Sequence, residues 1–395
     1  MTVLRGRNFL QTPGPTNVPG RILNAMHRPA VEFSGPDFVE LSRSCFEDLK
    51  PLFRTSDEMF IYAANGHGAW ETALVNTLSP GDRILVPHTG NFSAAWQRMA
   101  ESHGLVAVEV PNDWQHAIEA DAVEEVLRAD QAHEIKAVLL VHTDTATSIT
   151  ADVPAVRRAI DAAGHPALLM VDTIASLLTV DFRMDDWGVD VAVGAGQKGL
   201  MMPPGLSFTA VSAKGLAAAE KAKLPRAYWN WGDRLEKQNY RWFCGTAPEH
   251  LIFGLREAID MVNEEGMDAV FARHARLAGA VHRAVEVWGQ AGALSFNAAV
   301  PEQRATSVTT IHVADGIDIE ALHVLLREKF NVALGYGLGT LQGRAFRIGH
   351  MGDLNEPMIL GTLASVEAGL AACGIPHEPH GTSAAIAWLA EQAQR

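Results

Sequence analysis

Short apolar segments alternate with helical patterns through the first two thirds of the chain. Segments with the length and composition of buried strands occupy residues 84–86, 137–141, 167–171 and 190–193. One helical pattern begins near Ala69, before the first of these segments, and another covers residues 153–163, between two of them. Because strands and helices alternate, we predict an α/β fold with a mainly parallel sheet covered by helices on both faces.

The two ends of the chain follow different patterns. Residues 12–20, TPGPTNVPG, are rich in proline, which disfavours a helix, so the first segment is predicted to be an extended arm. Near the other end, a long helical pattern over residues 267–289 precedes strand patterns at 307–313 and 345–348. The predicted division is an arm over residues 1–22, a large α/β domain over 23–262 and a smaller C-terminal α+β domain over 263–395.

Composition narrows the functional classes. The 395 residues carry a formal net charge of -14, and an acidic excess argues against a nucleic-acid partner. Three distant cysteines make no disulfide framework, which suits a reducing compartment. The N-terminal residues lack the apolar core of a signal peptide, and no apolar run has the length of a membrane span. We therefore expect a cytoplasmic protein with no membrane or nucleic-acid partner.

The segment GAGQKG, residues 194–199, fits the glycine pattern of a dinucleotide-binding loop. That loop must open a helix whose N-terminus faces the pyrophosphate. Pro203 and Pro204 exclude a helix of any length after Gly199. The segment therefore lacks the helix that a dinucleotide-binding loop requires. What remains is Lys198 on a glycine-lined turn, either as a solvated surface lysine or as an amine that forms a Schiff base with an aldehyde cofactor.

A Schiff-base lysine requires companions, and the sequence offers candidates for each. Asp172 ends a predicted buried strand, where a carboxylate can keep a pyridine nitrogen protonated or can cap a following helix. The turn at residues 65–68, NGHG, leads into a helix and offers backbone N–H groups to a phosphate. Phe92 is either a ring that stacks on a cofactor or a core residue, and Arg347 is a candidate for binding a carboxylate.

Over nearly its whole length, the chain resembles the class V, fold-type I aminotransferases, and within them the alanine–glyoxylate and serine–glyoxylate group. The most specific segments are GQKG and PALLMVD, in that order and spacing. The other segments that carry the resemblance are PGPTNVP, ETALVNTLSPGD, HEIKAVLLVHTDTAT, GQKGLMMPPGL and FRIGHMGDLNE.

The resemblance implies pyridoxal 5′-phosphate as the cofactor and a role for each matching residue. Lys198 would form the Schiff base and carry the proton, and Asp172 would pair with the ring nitrogen. Thr246 would reach the phosphate in the neighbouring subunit, which implies a homodimer or a dimer of dimers with the site at the subunit interface. The remaining cofactor-binding residues would be Asn65, Gly66, His67, Phe92, Thr147 and Gln197, and the substrate-binding residues would be Gly14 and Arg347.

The implied reaction moves an amino group from a small amino acid, such as serine or alanine, to a 2-oxo acid, with glyoxylate expected as the acceptor. Two alternatives within the family are an unusual amine donor with pyruvate or glyoxylate, and a lyase such as a cysteine desulfurase. A lyase of that kind needs a reactive cysteine near the substrate. Outside these, a noncatalytic protein with this fold would lack the lysine, and Lys198 is present.

The sequence also departs from the family pattern around the expected substrate pocket. The departures are at Phe33, Asn65, Asp144 and Ser148, and the segment RWFCG precedes Thr246, with Arg241 as a possible second anion ligand. Residues 373–380, CGIPHEPH, place cysteine and histidines close together, but proline and glycine indicate a surface loop and the spacing matches no standard zinc pattern. No metal site is predicted.

Overall fold

A computed structural model describes residues 6–394. Residues 1–5 of the predicted arm and residue 395 of the predicted C-terminal domain lie outside the described residues. The strands of the described chain are β1 (Phe9–Gln11), β2 (Glu58–Tyr62), β3 (Arg83–Pro87), β4 (Val106–Val110), β5 (Ile135–Val141), β6 (Thr143–Asp144), β7 (Ile149–Thr150), β8 (Leu168–Asp172), β9 (Val191–Ala195), β10 (Ser207–Val211), β11 (Leu294–Phe296), β12 (Val308–Val313), β13 (Val332–Tyr336) and β14 (Ala345–Gly349).

Helices surround both large sheets. Within residues 6–394 they are α1 (Gly20–Met26), α2 (Pro36–Leu49), α3 (Gly66–Thr77), α4 (Asn91–Ser102), α5 (Ala120–Ala129), α6 (Val153–Ala162), α7 (Ala213–Ala219), α8 (Trp231–Arg234), α9 (Asn239–Trp242), α10 (Glu249–Glu265), α11 (Met267–Trp288), α12 (Ile319–Leu325), α13 (Glu356–Ala372) and α14 (Gly381–Gln392). None of the helices in this described range is both long and apolar enough to cross a membrane.

The larger sheet has seven strands in the order β2-β10-β9-β8-β5-β3-β4. Strands β9, β8, β5, β3 and β4 run parallel, whereas β10 is antiparallel to both of its neighbours. Successive residues of β8 pack into different cores, with Leu169 in one and Met170 in the other. Burial on both faces explains the uninterrupted apolar run, and the predicted mainly parallel α/β fold is confirmed.

The smaller sheet has five strands in the order β1-β13-β14-β12-β11. Its edge strand β1 belongs to the predicted arm and pairs in parallel with β13, with Phe9 opposite Val332. The arm therefore joins the C-terminal sheet and then crosses to the large sheet. The predicted domain boundary at residue 262 falls inside α10, because that helix continues to Glu265. The division of the chain at these residue numbers stays a prediction.

Several element boundaries have local causes. Helix α3 begins at Gly66, earlier than the predicted Ala69, because the Asn65 side chain accepts a hydrogen bond from the His67 N–H and caps the helix. Asp152 caps α6 in the same way through Ala155. Residues 200–206, which directly follow GAGQKG, form no helix, as predicted from the two prolines.

Candidate active site

A cavity of about 330 Å³ opens at the carboxyl ends of the parallel strands. This is the edge at which α/β sheets bind ligands, because strand ends and the following helix N-termini converge there. Predicted site residues from the arm, from α3 and α4 and from the ends of β8 and β9 line it together. They are Gly14, Asn65, Gly66, His67, Phe92, Asp172, Gln197 and Lys198.

Lys198 lies on the turn after β9, and its side chain reaches the arm. Its Nζ donates a hydrogen bond to the backbone carbonyl of Pro13. Burial lowers the pKa of this ammonium to about 8, and the positive charge of Arg347 adds to the shift while Asp172 opposes it. A substantial fraction of the lysine is therefore a neutral amine near pH 8, which a nucleophile or a base requires.

The arm approaches Lys198 closely because residue 14 is glycine. Gly14 has a φ of +91°, and a Cβ built there would lie 2.5 Å from Lys198 Nζ. Two further contacts hold the arm in place, since the Thr16 N–H donates to the Gln197 carbonyl at 3.3 Å and the Thr16 hydroxyl donates to the Lys198 carbonyl at 3.3 Å. The arm therefore forms one wall of the cavity directly over the lysine.

Asp172 is the last residue of β8 and is 4% exposed. Its Oδ1 accepts the Ile174 N–H at 2.7 Å, and its Oδ2 accepts the Trp70 Nε1–H at 3.0 Å. Burial raises the pKa of this carboxyl to about 7. Within residues 6–394 it makes no ion pair, so a cationic group in the cavity would supply the counter-charge that the protein lacks.

The N-terminus of α3 forms another side of the cavity. Asn65 and His67 are exposed to it, whereas Gly66 is buried against Ile174. The first N–H groups of a helix have no partner within the helix and favour an anion. Gln197 lines the same cavity, and its buried amide oxygen has no hydrogen-bond partner among the described residues. The Gln197 Nε2 group also makes no hydrogen bond to the described residues, so a phosphate group would fit between this amide donor and the positive end of α3.

Phe92 is held over the cavity by a buried carboxylate. The Phe92 N–H donates to Asp144 Oδ2 at 2.8 Å, and Asp144 Oδ1 accepts the Ala146 N–H at 2.9 Å. The Phe92 ring meets Trp70 edge to face, with centroids 6.3 Å apart. Asp144, considered in the sequence only as a departure from the family pattern, therefore fixes the start of α4 and the place of the ring.

Arg347 lies on β14 and is 8% exposed. Its Nε donates to the Tyr336 carbonyl at 2.6 Å, and its Nη1 donates to the Thr145 carbonyl at 2.9 Å. It borders the cavity through Thr145, which lines it. Burial lowers the pKa of the guanidinium to about 10, although the charge of Asp144 opposes this. No carboxylate of residues 6–394 forms an ion pair with it, so a ligand carboxylate fits here.

Three predicted site residues are not part of the cavity lining: Arg347, which lies behind Thr145, and two threonines. Thr147 is buried, and its hydroxyl donates to the Thr89 carbonyl at 3.0 Å; the threonine of this segment that lines the cavity is Thr145. Thr246 is exposed and lies outside the cavity lining of this chain. Its predicted contact with a neighbouring subunit stays a prediction.

Sequence reasoning missed other residues of the cavity wall, chiefly Trp70, Thr145 and Ile174. Trp70 follows Gly66 by about one helical turn, so its position in the capped helix was an available signal for a side chain on the same face. Thr145 and Ile174 follow buried strands, but which side of the turn faces the cavity depends on packing that the sequence pattern does not specify.

The cysteines and the possible metal ligands considered in the sequence lie outside the cavity lining. The three cysteines, Cys45, Cys244 and Cys373, do not line the cavity, and burial raises the pKa of the Cys45 thiol to about 12. A desulfurase mechanism therefore finds no cysteine nucleophile among the residues that line this cavity. Among the described residues, no group of three or more potential ligands is placed to hold a metal ion, and residues 373–380 form the loop between α13 and α14.

The departures from the family pattern lie outside the cavity lining, apart from Asn65. Phe33 accepts a hydrogen bond from Asn239 through its backbone carbonyl. Arg241 is exposed and pairs with Glu236 at 3.6 Å. Within one chain, neither residue contributes to the site.

Comparisons with known proteins show the family of this chain. The family described as aminotransferase class-V matches residues 16–349. A serine–glyoxylate aminotransferase of Methylorubrum extorquens is 42% identical over 98% of this chain and 97% of its own. An L-aspartate–glyoxylate aminotransferase of Paracoccus denitrificans is 40% identical over 94% of this chain and 93% of its own.

A solved structure shares the architecture. The crystal structure of pyridoxamine–pyruvate aminotransferase from Mesorhizobium loti superposes with a TM-score of 0.88 at 27% identity, covering 97% of both chains. The family match spans most of the chain and includes every strand of the large sheet. The chain therefore belongs to the class V aminotransferases and has their fold-type I architecture.

Proposed function

We propose that this chain holds pyridoxal 5′-phosphate in the cavity and transfers an amino group from a small amino acid to a 2-oxo acid, with glyoxylate as the acceptor. The names of the serine–glyoxylate and L-aspartate–glyoxylate relatives support the acceptor. One observation carries the proposal. A largely buried lysine has a pKa that burial lowers and that a buried carboxylate and a buried guanidinium both influence, and neither of these two charges has an ion-pair partner within residues 6–394.

The residues present fit this cofactor. Asp172 would meet the ring nitrogen, and the N-terminus of α3 with Gln197 would hold the phosphate. Phe92 would cover the ring. When bound, the cofactor supplies an aldehyde that takes up the amino group and a ring that accepts electrons from the substrate α-carbon.

Lys198 has two tasks in this proposal. As a neutral amine it would hold the cofactor at its aldehyde, and it would move a proton at the substrate α-carbon. Its lowered pKa makes the neutral form available near pH 8. Because Asp172 raises its pKa and Arg347 lowers it, the two charges together influence the ratio of the ammonium to the neutral amine.

Arg347 orients the amino acid. Its Nε and Nη1 are committed to backbone carbonyls, which fix the plane of the guanidinium. Its Nη2 makes no hydrogen bond to the described residues and can donate to a carboxylate. The arm around Gly14 closes the opposite side and limits the access of water to the reacting atoms.

We further propose a homodimer in which Thr246 reaches the neighbouring phosphate. The segment before it exposes apolar side chains, with Leu235 at 49% and Tyr240 at 51% exposure, and Thr246 is itself exposed. Such a patch supports an interface. Light scattering on the purified protein tests the assembly, and Thr246→Ala should weaken cofactor binding only if the dimer forms.

A spectral titration tests the proposed reaction. The protein is loaded with pyridoxal phosphate, and serine, alanine and aspartate are added separately without acceptor. Conversion of the cofactor absorption to that of pyridoxamine phosphate, reversed by glyoxylate, would establish transamination and name the donor. If the loaded protein is converted by none of the amino acids, the amino donor belongs to another class of amine; if it never takes up the cofactor, the proposal is wrong.

A further inference from the structure

Trp70 is the one side chain of residues 6–394 that donates a hydrogen bond to Asp172. It lies in the second turn of α3, is 1% exposed, and its Nε1–H meets Asp172 Oδ2 at 3.0 Å. The other oxygen, Oδ1, is occupied by the backbone N–H of Ile174. Each carboxylate oxygen therefore has one fixed donor.

Packing fixes the position of the indole. One face stacks on Trp96 of α4, with centroids 5.8 Å apart and planes 14° apart. Phe92 meets Trp70 edge to face, and the ring of His67 lies with its centroid 4.6 Å away. Since the ring is held from several sides, Nε1 remains directed at Asp172 without loss of side-chain freedom when a ligand binds.

The charges near Asp172 do not take over this role. Lys198 favours its ionised form and Asp144 disfavours it, but neither makes a hydrogen bond or an ion pair with it in the described chain. His67 contacts Trp70 rather than the carboxylate, and burial lowers its pKa, so it is mainly neutral at physiological pH. The two N–H donors are thus what supports a buried negative charge at this place.

We propose that Trp70 is a positioning residue for the amino-transfer reaction, and that its indole N–H keeps the Asp172 carboxylate ionised and oriented toward the protonated ring nitrogen of the cofactor. This inference rests on the proposed function. Without the N–H the carboxylate becomes a stronger base, so the proton shared with the ring nitrogen moves toward Asp172. The ring then withdraws electrons less strongly, and proton removal from the substrate slows.

Trp96 provides a matched control. It is fully buried and stacks on the same indole, but its own Nε1 has no hydrogen-bond partner among the described residues. Trp70→Phe and Trp96→Phe therefore both remove part of an indole from one stack, whereas only Trp70→Phe removes a donor from Asp172. Similar losses of thermal stability are expected for both.

Trp70→Phe and Trp96→Phe should differ in kcat and in cofactor binding. For Trp70→Phe we expect kcat to fall about tenfold, because one hydrogen bond to a charged group is lost. The KM for the amino acid should remain nearly unchanged. A second readout is the dissociation constant of pyridoxal phosphate between pH 6 and 9. Binding weakens as Asp172 takes up a proton, and in Trp70→Phe this weakening should begin at a higher pH. Trp96→Phe keeps an aromatic ring against the Trp70 indole and removes no donor from Asp172, so it should match the wild type in both measurements.

Equal behaviour of the two variants in kcat and in the pH dependence of cofactor binding would overturn the role of Trp70. If Trp70→Phe does not fold, Trp70→3-benzothienylalanine keeps the ring shape, lacks the N–H, and decides the question by the same two readouts. A wild-type protein that takes up no pyridoxal phosphate contradicts the proposed function itself, whereas normal binding with unaffected Trp70 variants contradicts only this inference.

Discussion

The two walls of the cavity are built in different ways. The wall from the large sheet consists of short segments that each follow a strand or open a helix, and it carries the buried carboxylate of Asp172. The opposite wall is formed by the arm and is backed by β14, a strand distant in sequence that carries the buried guanidinium of Arg347 outside the cavity lining. Each wall holds a charge that no ion pair within residues 6–394 neutralises, and the two charges have opposite signs.

Close backbone packing holds the second wall together. Gly335 leaves room for Pro13, since a Cβ there would lie 2.7 Å from the proline Cδ and 3.1 Å from Arg347 Cβ. Gly349 makes similar room for the Thr12 carbonyl. The first wall therefore depends on local turns, whereas the second depends on contacts between distant segments. Lys198 belongs to the first wall and touches the second, so it depends on both.

The largest effect is expected where the walls meet. Lys198→Ala should reduce kcat for amino transfer on the order of 10⁴-fold, because it removes the amine that binds the cofactor and moves the proton. Steady-state rates with serine and glyoxylate would show this. Lys221→Ala, at an exposed lysine outside the cavity, is the matched control and should leave the rate unchanged. Normal activity of Lys198→Ala would show that the reaction does not depend on the lysine at which the two walls of the cavity meet.

Arg347 tests the second wall alone. Arg347→Ala should raise KM for an amino acid about 100-fold while changing little for a primary amine without a carboxylate, since only the carboxylate needs the guanidinium. The comparison of the two substrates is the measurement. Arg344→Ala is a suitable control, because its side chain is 64% exposed. An equal loss for both substrates would mean that Arg347 supports the fold of the wall rather than the substrate.

The buried carboxylate of Asp172, in the first wall, can be tested through the pH dependence of the protein's stability. Its folded pKa of about 7 lies above the usual value of 3.8, so the ionised group destabilises the cofactor-free protein above pH 7. As the pH falls from 7 toward 3.8, the folded protein takes up a proton that the unfolded chain does not, and this cost becomes progressively smaller. The stability of Asp172→Asn relative to wild type should therefore rise by about 2–3 kcal/mol between pH 5 and pH 8.

Urea unfolding of the two cofactor-free proteins at pH 5, 6.5 and 8 gives that difference. Using the change with pH rather than a single value removes the constant cost of placing an amide beside two N–H donors. A difference that stays constant across this range would show that Asp172 is not the destabilised buried charge inferred here.

The smallest effect concerns the contact between the walls. Gly14→Ala would place a Cβ 2.5 Å from Lys198 Nζ, so the arm must shift, and we expect about a tenfold loss in kcat. Gly104→Ala separates the clash from backbone strain, because Gly104 also has a positive φ, of +77°, but open space around its Cα. Similar rates for both variants would mean that the arm does not constrain the lysine.

The same contrast explains what the sequence predicts. Asp172 and Lys198 are predicted as site residues because a buried strand followed by a polar residue or a glycine turn is a local pattern, and the family resemblance agrees with it. The mainly parallel sheet follows from the alternation of strands and helices. The predicted arm, however, contains β1, a three-residue strand whose pairing with β13 has no local signal.

Side-chain direction is the other limit. Trp70, Asp144 and Thr145 shape the site through hydrogen bonds to residues on other elements, and these depend on how helices and turns are rotated. For the same reason the prediction selected Thr147, whereas Thr145 lines the cavity. A sequence pattern locates such segments but does not specify which of their residues face inward.

The most direct test of the central role of Lys198 is chemical. The purified protein is loaded with pyridoxal phosphate, reduced with borohydride, digested and analysed by mass spectrometry, with Lys198→Ala treated in parallel. We expect a phosphopyridoxyl group on the peptide that contains GAGQKG and none on any other lysine peptide. A label at another lysine, or an equal label in the Lys198→Ala protein, would contradict the assignment of this cavity as the active site.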